Sequence, residues 1–138
     1  MLILILHGPN MNLIGLRSAK IGTRVTLDKI NRALRKYARE KKITLKIFQT
    51  HDEAKAVTFI QRNRNQADGL IISPESWNAG AYTLADTISL IEMPFVTVSF
   101  QALEKKLFNG FKSVENSDPI SGYLEALEIL FQKLENHR

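Results

Sequence analysis

Apolar and polar positions along this chain change period repeatedly, and the alternation predicts strand and helix in turn. Leu2 to Leu6 is continuously apolar, the pattern of a strand covered on both faces. Gly8-Pro9-Asn10 then breaks it at once. From Thr26 a helix is expected, because Leu27, Ile30, Leu34, Tyr37 and Ala38 recur at helical spacing. Thr26 offers its N-cap, Asp28 lies in the first turn, and Arg39, Lys41 and Lys42 lie near its end. Ile43 to Gln49 reads as a second strand, Ala54 to Arg64 as a second helix, and Gly69 to Ser73 as a third, buried strand. A third helix runs from Gly80 to Glu92 with Leu84, Ile88 and Ile91 on one face, and Pro94 introduces a strand over Phe95 to Val98. The last helix follows Ser117-Asp118-Pro119, with Ile120, Tyr123, Leu124, Leu127, Phe131 and Leu134 inward and a proline where no amide is needed. Between Ser99 and Asn116 the period is weak; a short fifth strand is placed near Phe111 to Glu115. No internal repeat is visible.

Strands alternating with helices of about a dozen residues imply right-handed crossovers and an α/β fold: about five parallel strands with helices on both faces. In such sheets ligands bind beyond the carboxyl ends of the strands, where the strand order switches. The segments to inspect are therefore His7 to Arg24, Thr50 to Glu53, Ser73 to Gly80 and Ser99 to Gly110.

Composition narrows the picture. A length of 138 residues suits one domain over residues 1–138, and 44% hydrophobic with 24% charged residues is ordinary for a globular protein. The apolar opening is too short to span a bilayer and has no basic leader before it, so no membrane segment and a cytoplasmic location are expected. Zero cysteines exclude disulfides and thiolate chemistry, and three scattered histidines suggest no metal site. The net charge of +5 comes from 19 basic residues spread over helix ends and surfaces, without a nucleic-acid-binding signature. No dinucleotide fingerprint follows the first strand, and no elbow motif surrounds Ser73, Ser76 or Ser99, so no cofactor and no serine-hydrolase chemistry is expected.

The stretch Leu4-Ile5-Leu6-His7-Gly8-Pro9-Asn10-Met11-Asn12-Leu13-Ile14-Gly15-Leu16-Arg17 resembles the amino-terminal signature of the type II 3-dehydroquinases, an apolar strand running into NGPNLNLLGxR. The likeness continues through Thr26-Leu27, through Gln49-Thr50-His51-Asp52-Glu53 against a QSNHE-like run, and through Ala67 to Pro74 against ADGIIINP. Leu84, Asp86 and Met93-Pro94-Phe95-Val96 follow, and Gly122 to Leu127 is similar to GYLLAL after an apparent deletion. The resemblance implies a flavodoxin-like fold, trimers assembled into a dodecamer with Asp86 near a subunit interface, and dehydration of 3-dehydroquinate to 3-dehydroshikimate in the shikimate pathway. In that family a tyrosine activated by an arginine removes a proton beside the ketone, an asparagine positions a water against the enolate, and a histidine protonates the leaving hydroxyl.

Asn10 and Arg17 are retained at matching positions. Elsewhere the resemblance lapses: Gly22 stands where the tyrosine belongs, Ser18-Ala19 replaces Glu-Pro, and Ser99 replaces the histidine in the run Ser99-Phe100-Gln101-Ala102. Ser73 stands for a substrate-contacting asparagine and Ala79 for a histidine, Glu104 and Lys106 for a further His and Arg, and Gly110 for a substrate-clamping arginine. The expected ligand-binding set is Asn10, Arg17, Ser73, Ser99 and Gln101, with Asn10 and Arg17 catalytic only if the chain is active. His7 closes the first strand and is either a structural histidine or a substitute acid or base. Glu104 and Tyr82 are other possible substitutes, while Tyr82 also suits packing, Trp77 a pocket or interface, and Glu53 support of the fold. The preferred expectation is a homologue with lost or strongly reduced dehydratase activity that binds a small, dehydroquinate-like anion. The alternatives are a working dehydratase with substitute acid/base residues, and a structural or regulatory subunit without ligand.

Overall fold

The computed structural model describes residues 1–137. Five parallel strands form one sheet: β1 (Leu2–His7), β2 (Thr44–Gln49), β3 (Gly69–Ser73), β4 (Phe95–Ser99) and β5 (Lys112–Glu115), in the order β2-β1-β3-β4-β5. This is the flavodoxin-like order, and its direction reverses at β1, so the switch point, where such folds receive ligands, lies beyond the ends of β1 and β3. There His7 stands opposite Ser73.

Alternation along the strands feeds two cores. Ile3, Ile5, Ile71, Val96 and Val98 face α2 (Leu27–Lys41) and α5 (Pro119–Asn136), meeting Ile30, Leu34, Tyr123, Leu127 and Leu130. Leu4, Leu6, Leu70 and Ile72 face the other way, onto Ile60 of α3 (Glu53–Asn63) and Leu84 and Ile88 of α4 (Tyr82–Ile91). The expected caps form: Thr26 accepts from the Lys29 amide, and Asp118 from the Ile120 amide ahead of Pro119. Tyr37 donates to Glu128, tying α2 to α5.

One element was not expected. Residues after Asn10 form a 3-10 turn (Met11–Leu13) and a helix, α1 (Ile14–Ile21), before the chain reaches α2. Its inward residues are Ile14, Gly15 and Ser18, only one of them strongly apolar, whereas Leu16 and Ile21 point to solvent. The hydrophobic stripe by which a helix is read from sequence is therefore missing. Ser18 does the fastening instead: its hydroxyl accepts from the Val25 amide at 2.7 Å and returns a bond to the Val25 carbonyl.

Candidate functional site

The switch point is built by a close approach of backbones. Gly8 donates its amide to the Ser73 carbonyl at 2.9 Å, and a Cβ at Gly8 would fall 2.4 Å from that oxygen, so only glycine allows the ends of β1 and β3 to meet here. Asn10 follows in the left-handed region (φ 65°), which asparagine tolerates, and is exposed. Its amide donates to His51 Nδ1 at 3.0 Å, which leaves the proton of a neutral His51 on Nε2. Gln49 donates to the Gly8 carbonyl. Asn10, His51 and the turn at Gly8 thus share one rim.

Arg17 projects from α1 into this region and meets a partner that the sequence did not suggest. Its Nη1 donates to Glu75 Oε2 at 3.0 Å, with the carboxylate side chain 11% exposed and the arginine 41%. Glu75 follows Ser73-Pro74 at the end of β3 and has a φ of 51°. Nothing in its local sequence marks it; the pairing spans 58 residues and needs the switch-point fold.

Beneath the rim lies a buried chain of polar groups. Tyr123 Oη sits 2.6 Å from both His7 Nδ1 and Ser73 Oγ, and His7 Nε2 sits 2.8 Å from Asn31 Oδ1. An amide oxygen only accepts, so with Asn31 oriented this way Nε2 carries the imidazole proton and Nδ1 takes that of the phenol. Ser73 then donates to the phenol oxygen, and every member is satisfied. Burial holds the His7 imidazole down to about 4, opposed in part by its bond to Asn31, so it is neutral near pH 7. Burial pushes the Tyr123 phenol far up; the Ser73 bond opposes this, while the nearby Glu75 charge adds to it. His7 has neither an open nitrogen nor solvent access, and is a core group rather than a cleft acid.

The remaining expected residues are spread more widely. Gly22 ends α1 in open space, with no atom within 4 Å of a Cβ placed there. None of the three tyrosines occupies that loop: Tyr37 is bonded to Glu128, Tyr123 is buried, and Tyr82 stands 69% exposed at the start of α4. Ser99 ends β4 and, with Pro74, Asn78, Thr97, Leu103 and Lys106, lines a space of about 10 Å³, room for about one water. Gln101, Glu104 and Ala79 are exposed. Gly110 backs onto the Phe95 carbonyl, which a Cβ would approach to 2.2 Å, so no side chain fits where a clamping arginine is expected. Asn78 holds the 100s loop through the Leu107 amide. Trp77 is packed in the α3/α4 core rather than capping an open pocket, and Glu53 accepts from the Leu84 amide at the start of α4. Asp86 is exposed on α4, one turn from Tyr82 and from the 76% exposed Leu90.

A wider groove of about 740 Å³ lies away from this chemistry, over β2 and α3, lined by Lys46, Phe48, Lys55, Phe59 and Arg62 among others. Among the described residues no three His, Asp or Glu side chains gather as metal ligands, and no helix is long and apolar enough to cross a membrane.

Comparison with known proteins agrees on one family. Residues 1–115 match the family model described as Dehydroquinase class II. The 3-dehydroquinate dehydratase of Halothermothrix orenii is 31% identical over 134 residues, covering 91% of this chain and 90% of the relative. That of Dictyoglomus turgidum is 31% identical over 137 residues, 94% of each chain. The crystal structure of the type II dehydroquinase from Butyrivibrio crossotus superposes with a TM-score of 0.83 at 20% identity, covering 94% of this chain and 97% of the other, and so bears on the fold alone.

Proposed function

This chain belongs to the class II dehydroquinase family, and we propose that it carries out the dehydration of 3-dehydroquinate to 3-dehydroshikimate, as a slow lyase with substituted acid/base groups. The observation that carries this reading is the ion pair of Arg17 with Glu75 beside Asn10 at the β1/β3 switch point: a cation, a carboxylate and a polar rim where the fold receives ligands. Arg17 also suits the carboxylate of a dehydroquinate-like anion, through a forked geometry that lysine cannot copy.

The rate is set by what is missing. Each general acid or base contributes about 10²–10⁴-fold. With Gly22 and Ser99 at the usual positions, turnover falls by at least about 10² below an ordinary 10 per second. Asn10, Ser99 and Gln101 complete the proposed ligand set, without a cofactor or metal; Ser73, expected to join them, does not, because its hydroxyl is fully buried and bonded to Tyr123. Assembly as a trimer or dodecamer is proposed through the outer face of α4, where Tyr82, Asp86 and Leu90 share one exposed stripe. A cytoplasmic location completes the reading.

The enone product absorbs in the ultraviolet, so the test is direct. Enone should form above a buffer control, and Arg17→Ala should abolish the excess. No enone after a day with abundant protein would sink the dehydratase reading. A second reading, an anion-binding homologue without turnover, is favoured by Gly22 and Ser99, and calorimetry would then still find Arg17-dependent binding of quinate.

A further inference from the structure

The structure assigns Glu75 as the general base of this site, replacing the tyrosine that the chain lacks; the assignment rests on the dehydratase reading above. Three observations carry it. First, Arg17, the side chain expected to address the base, addresses Glu75 at 3.0 Å, whereas no tyrosine lies in the loop beyond α1. Second, the carboxylate is mostly withdrawn from solvent, at 11% exposure, yet stands on the segment that leaves β3 at the switch point. It therefore meets a bound ring from the direction in which the fold admits ligands.

Third, its backbone is held in an uncommon conformation. Four non-glycine residues among those described have positive φ. Lys42 and Glu92 are the C-caps of α2 and α4, where the left-handed turn is ordinary, and Asn10 is an asparagine. Glu75 (φ 51°) has neither reason. An ion pair whose arginine is 41% exposed is screened by solvent on that side and stabilises a fold little, and strain of this kind gathers at functional sites. The remaining ionisable groups near it are consistent with the role: Tyr123 beneath is a buried neutral phenol, His7 behind it is a neutral imidazole, and His51 lies on the Asn10 rim.

The step balances without a co-reactant. A Glu75 oxygen takes a proton from the carbon beside the ketone, and the C–H electron pair moves into the carbonyl to give the enolate. Arg17 keeps the carboxylate oriented. When the ketone reforms, that pair makes the carbon–carbon double bond and the bond to the neighbouring hydroxyl breaks. The hydroxyl leaves as water with a proton from solvent, and Glu75 returns its own proton to solvent, so the net change is the loss of one water.

The experiment compares wild type, Glu75→Gln and Glu75→Asp for enone formation and for deuterium uptake beside the ketone in heavy water, with melting curves to verify folding. Glu75→Gln is expected to lower kcat and deuterium uptake together by about 100-fold, with KM changed less than about threefold. Glu75→Asp should retain an intermediate rate. A wild type that turns over while Glu75→Gln matches it overturns the role of Glu75 alone. A wild type that gives neither enone nor exchange overturns both this role and the dehydratase reading.

Discussion

Acidifying the protein should destabilise it through one residue, His7. The imidazole is fully buried between Tyr123 and Asn31, and is held neutral in the fold down to about 4, against 6.5 for a free side chain. Between those values the unfolded chain binds a proton that the folded chain refuses. The contribution is therefore complete above about pH 6.5 and is lost as the pH falls toward 4. At about 1.36 kcal/mol per pH unit the loss amounts to about 3 kcal/mol, a large part of the 5–15 kcal/mol that holds a domain together. Urea unfolding at a series of pH values measures it. Other groups also change charge as the pH falls, so the informative quantity is the difference between wild type and His7→Asn. Asparagine has no titrating group there, and its curve should be flatter by up to one proton between pH 4 and 6.5. Parallel curves, or a His7 resonance titrating near 6.5, would refute the buried, neutral imidazole.

The same buried chain gives a second expectation: Tyr123→Phe leaves His7 Nδ1 and Ser73 Oγ short of a partner and should cost about 1–3 kcal/mol in urea unfolding. Gly110→Arg, which would supply the expected clamp, should instead lower the melting temperature, because its Cβ meets the Phe95 carbonyl at 2.2 Å. Asp118→Ala removes the cap of α5 and should cost about 1 kcal/mol, read in the same way. Light scattering should find a trimer or dodecamer that Leu90→Glu disrupts, whereas a monomer of unaltered wild type would contradict the proposed α4 contact.

Much of the fold was legible because strands and helices here obey simple periods. The run Leu2 to Leu6 is covered on both faces, and Asp118-Pro119 starts α5 as caps and prolines do. Helix α1 was not legible, since it is fastened through Ser18 rather than by an apolar stripe. Of the expected site residues, Asn10 follows the end of β1 and Arg17 reaches Glu75 just beyond β3. The Arg17–Glu75 pair and the chain from Asn31 to Ser73 were not legible, because each joins residues far apart in sequence whose types alone are unremarkable. His7 illustrates the difference best, because its position at the end of β1 suits a cleft while its alternation in the strand turns it under α5.

The most direct measurement is a crystal structure of the wild-type protein soaked with 3-dehydroquinate. A six-membered ring is expected at the β1/β3 switch point, in contact with Arg17 and Asn10, with a Glu75 oxygen within about 3.2 Å of the carbon beside the ketone. Density for the ring in the groove over β2 and α3, or a switch point that stays free of ligand at saturating concentration, would contradict it.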